Sequence, residues 1–213
     1  MRILKFGGSS VSTPDRIRDV KAIVLDTAKR ERVVVVVSAF QGVTNQLLEC
    51  ARLAEQGDPE YLKLYDDLAQ RHRRAVDDLV TRKKNGPLHT AIAGLLRELY
   101  DVLHGIHLLR HSPPRALDVT ASFGERLSAL IVSAHFHQAH PSVFVDSRHL
   151  VLTDDQFTHA SVQFDQTNER IREYFKQLFA KKKNVIPIVT GFIGSTEDGR
   201  TTTIGRNGSD YSA

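Results

Sequence analysis

A pair of glycines near the start of the chain stands in a segment that could bind phosphate. They lie between a lysine and two serines, in the sequence Lys5-Phe6-Gly7-Gly8-Ser9-Ser10. Glycine lets a backbone approach a ligand closely and present N–H groups to an anion, and the lysine adds positive charge. Because the lysine precedes the glycines, the segment is not a Walker loop. It predicts a phosphate cradle, with a plain tight turn as the alternative.

Two later segments also combine glycine with polar side chains. Residues 38–45 read Ser-Ala-Phe-Gln-Gly-Val-Thr-Asn, which a simple polar loop would also explain. Residues 203–210 place Arg206 between two glycines, with Asp210 just beyond. Arginine can bind a carboxylate through two parallel hydrogen bonds, and the aspartate could hold an ammonium group or a metal. A hairpin turn followed by a capped helix is the alternative here.

The elements that must position these segments alternate between strand and helix. Strands are expected over residues 2–6 and 32–38, the second with five consecutive valines, as in a strand buried on both faces. Helices are expected from residue 14, with Thr13 as N-cap, and over residues 43–56. This order predicts an α/β fold with a mostly parallel sheet, in which ligands bind at the carboxyl ends of strands.

The rest of the chain adds a helical excursion and further sheet elements. Residues 58–110 are predicted to form a pair of helices, interrupted at Asn85-Gly86-Pro87. The elements expected after it are a helix over 121–138, a strand over 142–145, a short strand over 149–152, a helix over 165–182, a strand over 184–190 and a hairpin over 194–208.

The composition excludes several classes of protein. The chain has 213 residues, of which 41% are hydrophobic and 25% charged, as in an ordinary globular domain. The longest apolar run, Val33 to Val37, is far shorter than the ~20 residues that cross a membrane. The single cysteine, Cys50, excludes an internal disulfide and is expected to be a buried apolar residue. We therefore expect a cytoplasmic protein with no membrane partner.

Neither charge nor histidine content points to nucleic acid or metal. The net charge is +4, and its basic runs are expected to be solvated helix faces. None of the ten histidines falls into an H-E-x-x-H pattern, so no metal site is predicted. The basic runs are Arg71-His72-Arg73-Arg74, Arg82-Lys83-Lys84 and Lys181-Lys182-Lys183.

Four segments, in this order along the whole chain, resemble the aspartate kinases of the amino acid kinase superfamily. Many family members have Gly where this chain has Asn207, which tolerates left-handed backbone. This motif with asparagine at position 207, together with the segment Val102-Leu103-His104-Gly105-Ile106, most resembles the aspartate kinases fused to homoserine dehydrogenase. The four segments are Ile3-Leu4-Lys5-Phe6-Gly7-Gly8-Ser9-Ser10-Val11, Ser122-Phe123-Gly124-Glu125, Gly191-Phe192-Ile193-Gly194 and Gly205-Arg206-Asn207-Gly208-Ser209-Asp210-Tyr211-Ser212-Ala213.

The resemblance implies a three-layer α/β/α kinase fold. The reaction would be phosphorylation of L-aspartate by ATP to 4-phospho-L-aspartate, the first step toward lysine, threonine and methionine. The attacking carboxylate, with a pKa of about 4, is already ionised at neutral pH, so no general base is required. Mg²⁺ would be held largely by ATP oxygens. A homo-oligomer is expected for the full-length enzyme.

The resemblance also implies residue roles. Lys5 and Asp210 would be catalytic, and Arg206 would hold the carboxylate that is not phosphorylated. Glu125 would take the ammonium group, although without its S-x-G-E context it would be interpreted as a helix-surface acid. The residues facing the phosphates would be Gly7, Gly8 and Ser9. The remaining substrate-binding residues would be Ser38, Thr44 and Ser209.

Two alternatives stay open at this point. One is another kinase of the superfamily, acting on acetylglutamate or glutamate. The other is a non-catalytic substrate-binding fragment, because in the family the adenine-binding half and the regulatory domains follow the Gly-Ser-Asp motif. On that view residues 1–213 are the N-terminal portion of a kinase domain, truncated at the C-terminus, and have little activity alone.

Overall fold

The computed structural model describes residues 1–81 and 86–205, which contain six α-helices and six strands. A 3₁₀ turn, Ser147–His149, follows β3. The helices are α1 (Pro14–Ala28), α2 (Val43–Gln56), α3 (Glu60–Leu79), α4 (Gly86–Leu109), α5 (Pro114–His137) and α6 (Phe164–Lys181). The strands are β1 (Arg2–Phe6), β2 (Val33–Val37), β3 (Ser142–Val145), β4 (Ile186–Thr190), β5 (Ile193–Ser195) and β6 (Thr201–Thr203).

Four of the strands form one parallel sheet. Its order is β1-β2-β4-β3, and every neighbouring pair is parallel. Parallel neighbours need crossover connections, which the helices supply. β5 and β6 form a separate antiparallel hairpin, as the sequence predicts for this region.

The five valines of β2 divide the interior into two cores. Val33, Val35 and Val37 pack in a large core with helices α1 to α5. Val34 and Val36 pack in a smaller core beneath α6. Successive side chains of a strand point to opposite faces, so a strand covered on both faces must be apolar throughout. The predicted three-layer α/β/α fold is confirmed.

Two predicted elements are corrected. α5 begins at Pro114, seven residues earlier than expected. Proline breaks the interior of a helix, but it is favoured in the first turn, and here it starts the helix. The short strand expected over 149–152 is not a strand. The chain there leaves the 3₁₀ turn and makes isolated bridges at Leu152 and Thr153.

The burial predicted for the cysteine and for the basic runs is observed only in part. Cys50 is buried, and burial raises the pKa of its thiol to about 12, as for an inert core residue. Lys181-Lys182-Lys183 is exposed, as expected. The run at 71–74 is not simply a solvated face, because His72 is fully buried and Arg71 is partly buried. Arg82-Lys83-Lys84 lies outside the described residues.

Neither a membrane span nor a metal cluster occurs in the described ranges. None of the helices in residues 1–81 and 86–205 is long and apolar enough to cross a membrane. In the same residues, His, Cys, Asp and Glu side chains do not gather in groups of three or more that could hold a metal ion.

Candidate active site

The carboxyl ends of β1, β2 and β4 lie side by side at one end of the sheet. Val37 pairs with Phe6 on one side and with Thr190 on the other. Pairing continues past the strands, since the Ser38 N–H donates to the Phe6 carbonyl oxygen (3.1 Å) and the Gly191 N–H to that of Val37 (2.9 Å). Three of the motif segments therefore leave the sheet at one place.

A cavity of about 300 Å³ lies at this end of the sheet, within the lower range of ligand-pocket volumes. Four predicted site residues line it together: Gly8, Ser38, Thr44 and Glu125. A larger, open groove of about 1100 Å³ runs along α6, but it contains none of the motif residues. The other residues lining the small cavity are Ala39, Phe40, Gln41, Gly42, Asn45 and Phe192.

Two glycines allow the loop after β2 to pass close to its neighbours. A Cβ on Gly124 would lie 2.8 Å from the Cβ of Ala39, closer than real Cβ atoms approach. A Cβ on Gly8 would lie 3.1 Å from the Ala39 carbonyl oxygen. Because both positions lack side chains, α5 and the phosphate turn pack directly against this loop.

Glu125 is the buried carboxyl group of the cavity, with 3% of its surface exposed. Its Oε1 accepts a hydrogen bond from the Ala39 N–H (3.3 Å), while Oε2 has no partner among the described residues. Burial raises the pKa of this carboxyl to about 8, although the Ala39 N–H opposes the shift. A buried carboxylate with an unpaired oxygen beside a cavity is suited to binding the ammonium group of a ligand. Glu125 is therefore not a helix-surface acid.

The amino terminus of α2 faces the same cavity. Gly42, at the N-cap position, has a left-handed backbone (φ 83°), and no side chain caps the helix. Thr44 and Asn45, in the first turn, line the cavity. First-turn N–H groups carry partial positive charge and bind carboxylates well. The cavity thus offers an acceptor at Glu125 and donors at α2, the combination that an amino acid requires.

The predicted phosphate cradle is a compact turn beside the cavity. The Ser10 N–H donates to the Gly7 carbonyl oxygen (2.9 Å), which closes the turn, and Ser9 is exposed in it. Lys5 Nζ lies 3.6 Å from the point that a Cβ on Gly7 would occupy. The lysine ammonium group therefore sits over the glycine backbone, as a phosphate site requires.

Three predicted site residues, at the end of the chain, lie outside the described residues. The hairpin that precedes them in sequence is held to α5, since Thr203 Oγ1 donates to Asp118 Oδ1 (2.6 Å). The buried Asp118 also accepts from the Thr158 N–H (2.9 Å). α5 therefore contacts both the cavity and the hairpin. The three residues are Arg206, Ser209 and Asp210.

Phe40 and Phe192 are cavity residues that sequence reasoning missed. Phe192 has a left-handed backbone (φ 67°), which is uncommon for a bulky residue and typical of functional sites. Phe40 is buried and stacks on His72, with 5.0 Å between ring centroids. The place of Phe192 two residues after a buried strand, in the segment 191–194, is the signal that could have found it. Phe40 has a similar signal, since it lies in the segment 38–45 that follows the buried strand β2.

Comparison with known proteins identifies the family of the chain. The model of the Amino acid kinase family matches residues 1–213. Bifunctional aspartokinase/homoserine dehydrogenase 1, chloroplastic, of Arabidopsis thaliana is 31% identical over 211 residues, which are 98% of this chain and 23% of that protein. Aspartokinase 2, chloroplastic, of the same plant is 30% identical over 217 residues, covering 99% of this chain and 38% of that protein.

Solved structures give the same result. E. coli aspartokinase III in complex with aspartate and ADP matches with a TM-score of 0.87 at 29% identity, and its complex with lysine and aspartate with 0.86 at 30%. Both matches cover 99% of this chain and 45% of that one. The chain therefore spans less than half the length of these relatives. On sequence and fold together, the chain belongs to the amino acid kinase family.

Proposed function

We propose that this chain forms the L-aspartate site of an aspartate kinase. The observation that carries the proposal is the unpaired, buried Oε2 of Glu125, placed in the same small cavity as the uncapped amino terminus of α2. The substrate ammonium group binds Glu125, and a substrate carboxylate lies toward Thr44 and α2. The solved complex of E. coli aspartokinase III with aspartate and ADP supports this assignment.

The phosphoryl donor is ATP, bound at the Lys5–Gly8 turn. Lys5 and the backbone N–H groups neutralise the charge of the transferring group. The side-chain carboxylate of aspartate attacks without a general base, because it is ionised at neutral pH. Glu125 is the one carboxylate among the described cavity residues, and it is committed to the ammonium group. Mg²⁺, when bound, would be held largely by ATP oxygens and would supply charge neutralisation there.

The same carboxylate argues against an N-acylated substrate such as acetylglutamate. An acetylated nitrogen carries no charge, so it would leave the buried Glu125 without a cation. We further propose that the enzyme is cytoplasmic, homo-oligomeric at full length, and acts in the pathway to lysine, threonine and methionine. Residues 1–213 supply its aspartate-binding portion.

Turnover is tested on the protein expressed from its full natural reading frame. With ATP, Mg²⁺ and hydroxylamine, L-aspartate is expected to give aspartyl hydroxamate at a rate well above those for L-glutamate and N-acetyl-L-glutamate. Faster turnover of either of the other two acids contradicts the proposal.

Binding is tested on the 213-residue chain by calorimetry. L-aspartate is expected to bind, and N-acetyl-L-aspartate to bind at least about 30-fold more weakly, from the lost charged hydrogen bond. Glu125→Gln should remove the preference. Glu169→Gln, an exposed carboxylate on α6, is the matched control and should behave as wild type. Equal affinity for the two ligands would argue against the Glu125 assignment.

A further inference from the structure

Arg71 of α3 is hydrogen-bonded to both loops of the candidate site. Its Nη1 donates to the Gln41 carbonyl oxygen (2.9 Å), in the loop after β2. Its Nη2 donates to the Ser12 carbonyl oxygen (3.1 Å), just after the phosphate turn. Ser12 is tied in turn to that turn, because its Oγ donates to the Ser9 carbonyl oxygen (2.9 Å). One guanidinium group thus connects the aspartate side and the phosphate side.

The same guanidinium also packs on a wall of the cavity. Its carbon lies 5.7 Å from the ring centroid of Phe40, a cavity residue. The Phe40 ring is stacked almost parallel on the neighbouring His72, at an interplanar angle of 5°. Burial lowers the pKa of His72 to about 4, so this ring is neutral and adds no competing charge. Consecutive residues of α3 therefore hold Phe40 in place.

We propose that Arg71 is a positioning residue that fixes the aspartate loop and the phosphate turn relative to each other. The inference rests on the proposed function. Only a planar group with diverging N–H donors can bond two carbonyls in different loops and still cover a ring, so lysine is not equivalent. Phosphoryl transfer depends on alignment of donor and acceptor, and a displacement of about 1 Å can cost about 10²-fold in rate.

Loss of Arg71 should therefore affect alignment more than the binding of either substrate. The variants are made in the protein expressed from its full natural reading frame. For Arg71→Met we expect kcat to fall about 10- to 100-fold, with KM for aspartate and for ATP each changed less than about 3-fold. Arg71→Lys should recover part of kcat, since it can still bond one carbonyl. Arg73→Met, exposed on the same helix, is the matched control and should leave kcat unchanged.

Chemical rescue separates positioning from folding. A groove of about 240 Å³, lined by Arg71, Phe40 and Ser12 among others, gives small molecules access to the arginine position. Added methylguanidinium is expected to raise kcat of Arg71→Ala several-fold and to leave Arg73→Ala unaffected. If Arg71→Ala does not fold, the comparison of Arg71→Lys with wild type by kcat and KM replaces it. An unchanged kcat in Arg71→Lys and Arg71→Met overturns the inference.

Hydrogen exchange tests the connection without any turnover. In the 213-residue chain, Arg71→Met should speed amide exchange in residues 8–12 and in residues 40–45 together, whereas Arg73→Met should change neither. Faster exchange in one loop only, or in none, would refute the connection even if aspartate is phosphorylated. If wild type fails to phosphorylate aspartate while both loops respond, the proposed function fails and the link between the loops stands.

Discussion

At the scale of single residues, the site is built at the expense of stability. Glu125 is buried with one oxygen unpaired, an arrangement that a purely structural carboxylate would avoid. Gly8 and Gly124 have no side chains, which lets the loop at Ala39 pack closely against the phosphate turn and α5. These residues make sense through the ligand that they are proposed to hold.

Removing the Glu125 charge should stabilise the protein in a pH-dependent way. Burial raises the folded-state pKa of Glu125 to about 8, so the folded protein holds this proton more tightly than the unfolded chain. The corresponding stability is present at acid pH and is lost as the pH rises to about 8. Glu125→Gln should therefore melt ~5 °C higher than wild type near pH 8.5, with a difference that shrinks toward pH 5. A difference independent of pH would contradict this assignment.

A methyl group at position 124 should disturb the site, whereas one at position 94 should not. Gly124→Ala places its Cβ against Ala39 and should cost about 1–3 kcal/mol and weaken aspartate binding. Gly94, in α4, has open space around its Cβ position, so Gly94→Ala should stabilise by ~0.5–1 kcal/mol. Urea denaturation and calorimetry of both variants check the pair. Equal effects would mean that the close approach at Ala39 is unimportant.

At the scale of elements, α5 is the part that orders the site. Asp118 and Glu125 lie seven residues apart, so both are on one face of the helix. Each accepts a backbone N–H from a different loop, at Thr158 and Ala39 respectively. A single rigid helix thereby sets the spacing between the cavity and the hairpin of β5 and β6.

Asp118→Asn should loosen the hairpin. The amide replaces one acceptor oxygen of Asp118 by an NH₂ group. Turned toward the Thr158 N–H, that group leaves the N–H unpaired, and turned toward Thr203 it forces the hydroxyl to accept instead of donate. We expect a loss of about 1–3 kcal/mol of unfolding free energy and faster amide exchange at residues 201–203. Asp101→Asn, exposed on α4, is the control and should change stability by less than ~0.5 kcal/mol. Unchanged exchange in the hairpin would refute the link.

Local signals predicted the elements well, and tertiary contacts explain what they missed. α2 was predicted close to its observed bounds because apolar residues such as Leu47, Ala51 and Leu53 follow helical spacing there. Gly8, Ser38, Thr44 and Glu125 could be placed in one site only through their motifs. The role of Arg71 could not be predicted, since its partners lie 30 and 59 residues away and nothing local distinguishes it from its basic neighbours.

At the scale of the whole molecule, the two layers that cover the sheet are unequal. Among the helices of residues 1–81 and 86–205, five form one layer around a large core, and α6 is the one that covers the other face. Between α6 and the sheet an apolar cavity of about 240 Å³ remains, lined in part by Ile3, Val34 and Phe175. Interiors are normally close-packed, so the α6 layer should contribute less to stability than the other.

This asymmetry predicts unequal costs for the same truncation in the two layers. Ile17 of α1 is fully buried in the large core, while Ile171 of α6 is only partly buried. Ile17→Ala should lose about 2–5 kcal/mol of unfolding free energy, and Ile171→Ala less than ~2 kcal/mol. Urea denaturation measures both. A larger loss for the α6 variant would reverse the ranking of the layers.

The raised pKa of Glu125 makes the proposed site an ion exchanger. Near pH 7 the empty cavity holds a proton on this carboxyl, and the arriving ammonium group must displace it. Close to one proton should leave for every L-aspartate bound, so the heat of binding should follow the ionisation enthalpy of the buffer. Below about pH 8, affinity should fall roughly tenfold for each unit of acidification. Protons and L-aspartate would then compete for the same carboxylate oxygen of Glu125.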